Sequence, residues 1–263
     1  MKIGREGVTM SLNNKIALVT GGSRGLGKNT AFHLTQNGAD VVITYRKEKD
    51  AADRVVSEIT GMGNKAAALQ LDVGDIGALD AFVEQFSQVV SGQWNRDSFD
   101  ILINNAGIIT HEMIAETTEE SFDQLMNIHL KGVYFLTQKL LSRMADGGRI
   151  VNFSSGLARF SFPGFAAYAI MKCGIEVFTR YLAKELGERK ITANVIAPGP
   201  IHTDMNKERF EDNPQMVEMM VALTSLGRIG EAGDIGGVAA FLCSDEAGWV
   251  SGQRIELSGG MLL

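Results

Sequence analysis

The chain has 263 residues, a formal net charge of −6, 45% hydrophobic residues and two cysteines. The acidic balance argues against nucleic acid or an anionic membrane surface as the main partner, because both favour a basic face, and leaves small molecules. Two cysteines are too few for a disulfide framework and fit a reducing cytoplasm, while no apolar run has the length of a membrane span or a signal sequence. No metal is expected.

Residues 1–13 are expected to be a disordered extension, since residues 1–9 lack apolar periodicity and precede a second methionine, Met10. Residues 14–263 suffice for one α/β domain with a full core, and nothing in them has linker composition. Short apolar runs predict strands near residues 15–20, 40–45, 66–71, 100–103, 148–153, 191–196 and 254–257, with helical patterns between them. That alternation predicts a single-domain, doubly wound parallel sheet of seven strands with helices on both faces. Residues 100–103 and 149–153 are apolar enough for central strands buried on both sides.

The first strand runs into Thr20-Gly21-Gly22-Ser23-Arg24-Gly25-Leu26-Gly27 and then a helical segment to about residue 36. A strand, a glycine turn and a helix N-terminus form a phosphate cradle, because bare backbone approaches the anion and unpaired amides face it. Gly21, Ser23, Arg24, Gly25, Leu26 and Gly27 are therefore candidate dinucleotide contacts.

The second strand ends in Tyr45-Arg46-Lys47, with no acidic residue there to accept from a ribose 2′-hydroxyl. Arg46, Lys47 and the guanidinium of Arg24 suit a 2′-phosphate instead, which points to NADP(H) over NAD(H). The plain alternative is that Arg46 and Lys47 are solvated charges at a helix start. In an open α/β sheet the ligand lies outside the carboxyl ends of the strands, and the other candidates follow strand ends. Asp72 and Val73 close the third strand, as a cofactor contact or as a cap for the next helix. Asn104, Ala106 and Gly107 close the fourth, where the glycine lets a nucleotide lie against backbone. Pro198, Gly199, Ile201 and Thr203 follow the sixth, in a turn that Pro and Gly would make in any case.

Tyr168 and Lys172 stand four residues apart, so one helical turn puts a phenol and an ammonium on the same face. A free tyrosine is a poor acid or base at neutral pH, and a nearby cation is expected to lower its pKa. Ser155, thirteen positions before Tyr168, ends the fifth strand and can polarise a substrate oxygen, with Ser154 as the adjacent alternative. Residues 204–226 are the expected lid. Its Met205, Met216, Met219 and Met220 either line an adaptable apolar pocket or pack the lid, and both readings stay open. Phe160, Phe162 and Phe165 are candidates for another apolar wall. Cys173 is expected to be a packed helix cysteine.

These motifs, in this order and at these separations, resemble the short-chain dehydrogenase/reductase family, and within it 3-oxoacyl-(acyl-carrier-protein) reductases and related NADP-dependent members. The resemblance runs from Asn14 to the C-terminus and implies a Rossmann-type fold. It implies Tyr168 as general acid/base, Lys172 lowering the phenol pKa and holding the nicotinamide ribose, and Ser155 orienting the substrate oxygen. It also implies adenine contacts at Asp72 and Val73, a strand tie at Asn105, and nicotinamide contacts at Ile201 and Thr203. Where the family commonly has a helix asparagine that supports a water chain to the lysine, this chain has His129. Its imidazole is a candidate member of that relay or a packed helix residue. Near the C-terminus Ser258 stands where an aspartate is usual. The implied reaction is NADPH-dependent reduction of a ketone, with a 3-oxoacyl thioester leading. Alternatives are an NAD(P)-dependent sugar or other alcohol dehydrogenase, or a non-catalytic NADP-binding sensor. A homotetramer is the implied assembly, with a dimer next.

Overall fold

The computed structural model describes residues 10–263. The extension expected at residues 1–9 lies outside the described residues. At 10–13 the expectation of an extension is overturned: Leu12 is buried, and its amide donates to the Asn37 carbonyl at 2.7 Å. A buried leucine and the backbone bonds at Leu12, the second from the Lys15 amide to the Leu12 carbonyl at 3.0 Å, tie this segment to the domain.

The first half of the chain builds β1 (Ile16–Val19), α1 (Gly25–Gln36), β2 (Asp40–Tyr45), α2 (Lys49–Gly61), β3 (Ala66–Gln70), α3 (Leu79–Trp94) and β4 (Phe99–Asn104). There follow α4 (Glu119–Met126), a π-helical stretch (Asn127–Lys131), α5 (Gly132–Leu140), β5 (Met144–Phe153), α6 (Ala166–Glu185) and β6 (Thr192–Pro198). The chain ends with β7 (Ile201–His202), α7 (Lys207–Asp212), α8 (Pro214–Ala222), β8 (Gly230–Glu231), α9 (Gly233–Cys243) and β9 (Arg254–Leu257).

Seven strands form one parallel sheet in the order β3-β2-β1-β4-β5-β6-β9. The seven expected strands are these seven, although β5 begins at Met144 rather than 148. The two-residue strands β7 and β8 pair with each other beside the lid and carry too few residues to show a sequence pattern. Chain order runs outward from β1 to β3 and then returns to β4 on the other side of β1. That reversal opens a crevice at the carboxyl ends of β1 and β4.

Successive residues of a strand point to opposite faces, so a sheet covered on both sides needs apolar residues throughout. Ala17 and Val19 of β1 pack with α1, α2 and α9 through Leu34, Val55 and Ala239. Ile16 and Leu18 pack on the other face with α3, α5 and α6 through Phe86, Leu136 and Leu182. The aromatic pair Phe86 and Phe99 meets edge to face at 5.1 Å, the geometry the ring quadrupoles favour.

Candidate active site

The turn after β1 is pinned from both sides. The Gly21 amide donates to the Thr44 hydroxyl at 3.1 Å, and the Gly22 amide to the Thr44 carbonyl at 2.9 Å. From β4, Asn105 Nδ2 donates to the carbonyls of Thr20 at 2.9 Å and Gly21 at 3.2 Å, while the Thr20 hydroxyl accepts from the amides of Asn105 and Ala106. Asn105 is thus the strand tie expected of it. Gly21 and Gly25 sit at φ values of 65° and 55°, where a side chain would be strained. A Cβ on Gly27 would stand 2.3 Å from the Gly21 carbonyl oxygen. Gly27 therefore lets α1 pack onto the turn and is not on the cleft wall, which corrects its assignment as a direct contact. Gly21, Ser23, Arg24, Gly25 and Leu26 do line the cleft.

This cleft, of about 640 Å³, collects most of the remaining candidates: Tyr45, Arg46, Lys47, Asp72, Val73, Ala106, Gly107, Pro198, Gly199, Ile201 and Thr203. None of Arg24, Arg46 and Lys47 forms an ion pair among the described residues. These three unpaired cations line the cleft and suit a phosphate, and Glu48, next to Lys47, is an acidic lining residue that the sequence reading passed over. Asp72 lines the cleft, and its Oδ1 accepts from the Gly74 amide at 3.0 Å within the loop. The cap of the next helical turn is Asp75, whose carboxylate accepts from the Gly77 amide at 3.1 Å, so the cap reading of Asp72 is not met. Gly199 leaves room for Ser258, whose Cα would lie 2.9 Å from a Cβ at that position. The Ser258 hydroxyl donates to Glu256 at 2.8 Å.

Asn104 is a second correction. It is buried under the sheet, where its Nδ2 donates to Thr137 Oγ1 at 3.1 Å and Asn152 Oδ1 at 2.8 Å. Its side chain joins β4, β5 and α5, because the pleat sends it away from the crevice that Asn105 faces. It does not line the cleft.

Ser155, Tyr168, Lys172 and His129 all line the same cleft. Burial pushes the Tyr168 phenol up to about 12, with the Ser155 hydroxyl pulling it partly back. Burial also pulls the Lys172 ammonium down to about 7. Lys172 Nζ donates to the Phe153 carbonyl at 2.8 Å and lies 5.5 Å from the centroid of the Tyr168 ring. The expected lowering of the phenol by Lys172 is not found in this arrangement. The lysine is engaged with the end of β5, and its charge adds to burial in holding the His129 imidazole down. Ser154, the alternative to Ser155, is committed elsewhere: its hydroxyl donates to Glu176 at 2.7 Å. The Ser155 hydroxyl accepts from the Leu157 amide at 3.2 Å and keeps its proton available.

His129 lies in the π-helical stretch and is buried. Its Nε2 lies 2.7 Å from the Ile108 carbonyl oxygen and 3.2 Å from the Ile108 amide nitrogen, so both backbone groups of Ile108 meet this one ring nitrogen. Nδ1 is buried and has no hydrogen-bond partner among the described residues. The ring meets Tyr168 edge to face at 5.2 Å. Desolvation, followed by the Lys172 charge, holds its pKa well below the usual histidine range, so it is neutral.

Phe160, Phe162 and Phe165 line the cleft, as do Met205, Met216, Met219 and Met220 of the lid, which resolves the open question about the methionines in favour of a pocket. Sequence reasoning missed Ile109, Leu157, Arg209 and Met261, which also line it. The first three stand in loops or a short lid helix without periodicity, and Met261 reaches the cleft from the end of the chain. Cys173 is exposed, not packed as expected.

The family model described as enoyl-(acyl carrier protein) reductase matches residues 21–262. The versicolorin reductase of Emericella nidulans is 37% identical over 264 residues, covering 95% of this chain and 96% of that protein. A probable tetrahydroxynaphthalene reductase of Zymoseptoria tritici is 34% identical, covering 95% of this chain and 96% of its own. Among solved structures, the angucycline C-6 ketoreductase LanV with bound NADP superposes with a TM-score of 0.91 at 36% identity, covering 96% of this chain and 97% of that one. With its parallel seven-stranded sheet, its glycine turn and its serine, tyrosine and lysine in one cleft, this chain belongs to the short-chain dehydrogenase/reductase family.

Proposed function

We propose that the protein is an NADP(H)-dependent ketoreductase. The observation that carries this is the convergence of Ser155, Tyr168 and Lys172 on the cleft that is also lined by the glycine turn and by the unpaired cations Arg24, Arg46 and Lys47. Its relatives named as reductases, and the NADP in the LanV structure, support the direction and the cofactor. Gly21, Ser23, Gly25 and Leu26 would hold the pyrophosphate, the three cations the 2′-phosphate, and Asp72 and Val73 the adenine. Ala106, Gly107, Pro198, Gly199, Ile201 and Thr203 would hold the nicotinamide half. When bound, the dinucleotide supplies hydride.

The chain's own residues supply the proton and the orientation. With its phenol pushed up to about 12, Tyr168 carries its proton at neutral pH and can give it to a carbonyl oxygen as a general acid. Ser155 donates a hydrogen bond to the same oxygen and polarises it. Lys172, held at the end of β5 by the Phe153 carbonyl, stands where it can hold the ribose and resupply Tyr168. His129 is a positioning residue: its ring fixes the Gly107–Ile108 turn and buttresses the phenol, and it does not itself titrate near neutrality.

For the substrate, the phenylalanine and methionine wall favours a flat, apolar, ring-bearing ketone. A 3-oxoacyl thioester is the second reading, supported by the acyl-carrier-protein description of the matching family model. NADPH oxidation by the purified protein with β-tetralone and with acetoacetyl-CoA tests both. Turnover of the ring ketone alone favours the first, and turnover of neither overturns ketone reduction. A homotetramer is the proposed assembly: Ile170, Val177 and Tyr181 leave an exposed apolar stripe on α6, and Trp249 is fully exposed. Light scattering on the purified protein checks it.

A further inference from the structure

Among the phenylalanines and methionines that line the cleft stands a cation from the lid. Arg209, on the lid helix α7, places its guanidinium carbon 4.5 Å from the centroid of the Phe165 ring. Phe165 is buried and immediately precedes α6, three positions before Tyr168, so the contact sets the guanidinium at the substrate side of the cleft. Both residues line it, together with Phe160, Phe162, Met216 and Met219.

Arg209 differs from the protein's other partly buried arginines. Arg96, Arg149 and Arg254 each have a carboxylate partner, at 2.7, 3.3 and 2.6 Å. Arg209 has no ion pair and donates no hydrogen bond among the described residues, although its own helix carries Glu208, Glu211 and Asp212. Glu211 lies nearest Lys207, at 3.9 Å. Burial pulls the Arg209 pKa down, as expected for a cation that has lost water without gaining a counter-charge. The cation–π contact holds the guanidinium over the Phe165 ring while its N–H donors form no hydrogen bond among the described residues. A partly desolvated fork of donors rewards an oxygen that carries negative charge more than a neutral one.

We propose that Arg209 is a specificity residue, pairing with an anionic oxygen, a carboxylate or an ionised phenol, on an otherwise apolar ketone substrate. The inference deepens the proposed carbonyl reduction by giving its substrate one acidic substituent. Phe165 supplies a face on which the guanidinium stays put, and the methionines fold around the apolar remainder.

The test is equilibrium binding of naphthoate and of its neutral isostere naphthamide to the NADP⁺-loaded protein, by calorimetry, for the parent, Arg209→Lys and Arg209→Met. The methionine keeps packing volume against Phe165, and thermal unfolding checks that each variant is folded. The expected result is that the parent prefers naphthoate by about tenfold or more, the worth of one charge-assisted hydrogen bond. Arg209→Lys should keep part of that preference and Arg209→Met should lose it. Equal binding of the two ligands by the parent overturns the proposal, as does a preference that survives in Arg209→Met. A loss of NADPH affinity in Arg209→Met with the ligand preference intact also overturns it, because the cation would then serve the cofactor. Turnover of β-tetralone, scored in the same preparations, tests carbonyl reduction separately from the acid preference.

Discussion

Lys172 donates from its ammonium to the Phe153 carbonyl at 2.8 Å while standing 5.5 Å from the centroid of the Tyr168 ring. The cation is thus fixed by the end of β5 and placed beside the phenol ring. Two buried groups with opposite shifts, a phenol near 12 and an ammonium near 7, follow from one cause, the desolvation of the cleft floor.

Stability should therefore depend on pH through Lys172. Its pKa falls from 10.5 in a solvated lysine to about 7 in the fold, so between these values the unfolded chain holds a proton that the folded chain has released. Stability rises with pH across that window and is lost as pH falls towards 7. Denaturant unfolding from pH 7 to 10 should show this rise, and the difference between the parent and Lys172→Met should carry a slope of about one proton.

Tyr168→Phe keeps the ring's contact with His129 and removes the proton donor. Ketone reduction should fall by roughly 10²- to 10⁴-fold in kcat, the usual worth of a general acid, while the dissociation constant for NADPH changes little. Activity within a few-fold of the parent would remove Tyr168 from the chemistry.

Gly107 and His129 should be coupled. A Cβ on Gly107 would lie 2.5 Å from His129 Cε1, and the ring cannot retreat without giving up its Ile108 contact. Gly107→Ala should destabilise the protein by about 1–3 kcal/mol, the range for overpacking, and lower kcat/KM. In a His129→Ala background the same change should cost much less, and a double-mutant cycle measures the coupling. Because the imidazole is already neutral, no activity change between pH 6 and 8 should be assignable to its titration.

Cofactor choice should follow the charges at the end of β2. Replacing Arg46 with Asp introduces a carboxylate where the cleft wall now has three unpaired cations. The ratio of kcat/KM for NADPH over NADH should drop by about tenfold or more, as expected for loss of a charge-assisted contact and gain of a repulsive one. An unchanged ratio would return Arg46 to the role of a solvated surface charge.

Asn104→Ala should lower stability by about 1–3 kcal/mol, since it strands Thr137 and Asn152 under the sheet, and should leave the KM for NADPH near the parent value. Thermal unfolding and cofactor titration distinguish this from a direct cofactor contact.

Much of the cleft was legible because its parts are short and local. The strand, glycine turn and helix around Gly21 and Gly25 announce a phosphate cradle within a dozen residues, and the four-residue spacing of Tyr168 and Lys172 puts them on one helix face. Adjacent residues were harder to separate. Asn104 and Asn105 differ only in the parity of the pleat, and that parity decides which asparagine faces the crevice and which ties the underside of the sheet. Gly27 and Gly25 likewise differ in what lies behind the helix, a carbonyl 2.3 Å from a would-be Cβ in one case and Thr203 at 3.8 Å in the other.

The order of apolar runs, the turn chemistry and the helical spacing already determined a parallel seven-stranded sheet and singled out the candidates for its chemistry, because these depend on neighbours within a few positions. Only the tertiary structure decided that Arg209 rests on Phe165, that His129 meets Ile108, that burial raises the phenol, and that Met261 lines the cleft. Those facts depend on water being excluded by segments far apart in the chain, and desolvation is a property of an enclosed volume that no local stretch of sequence contains.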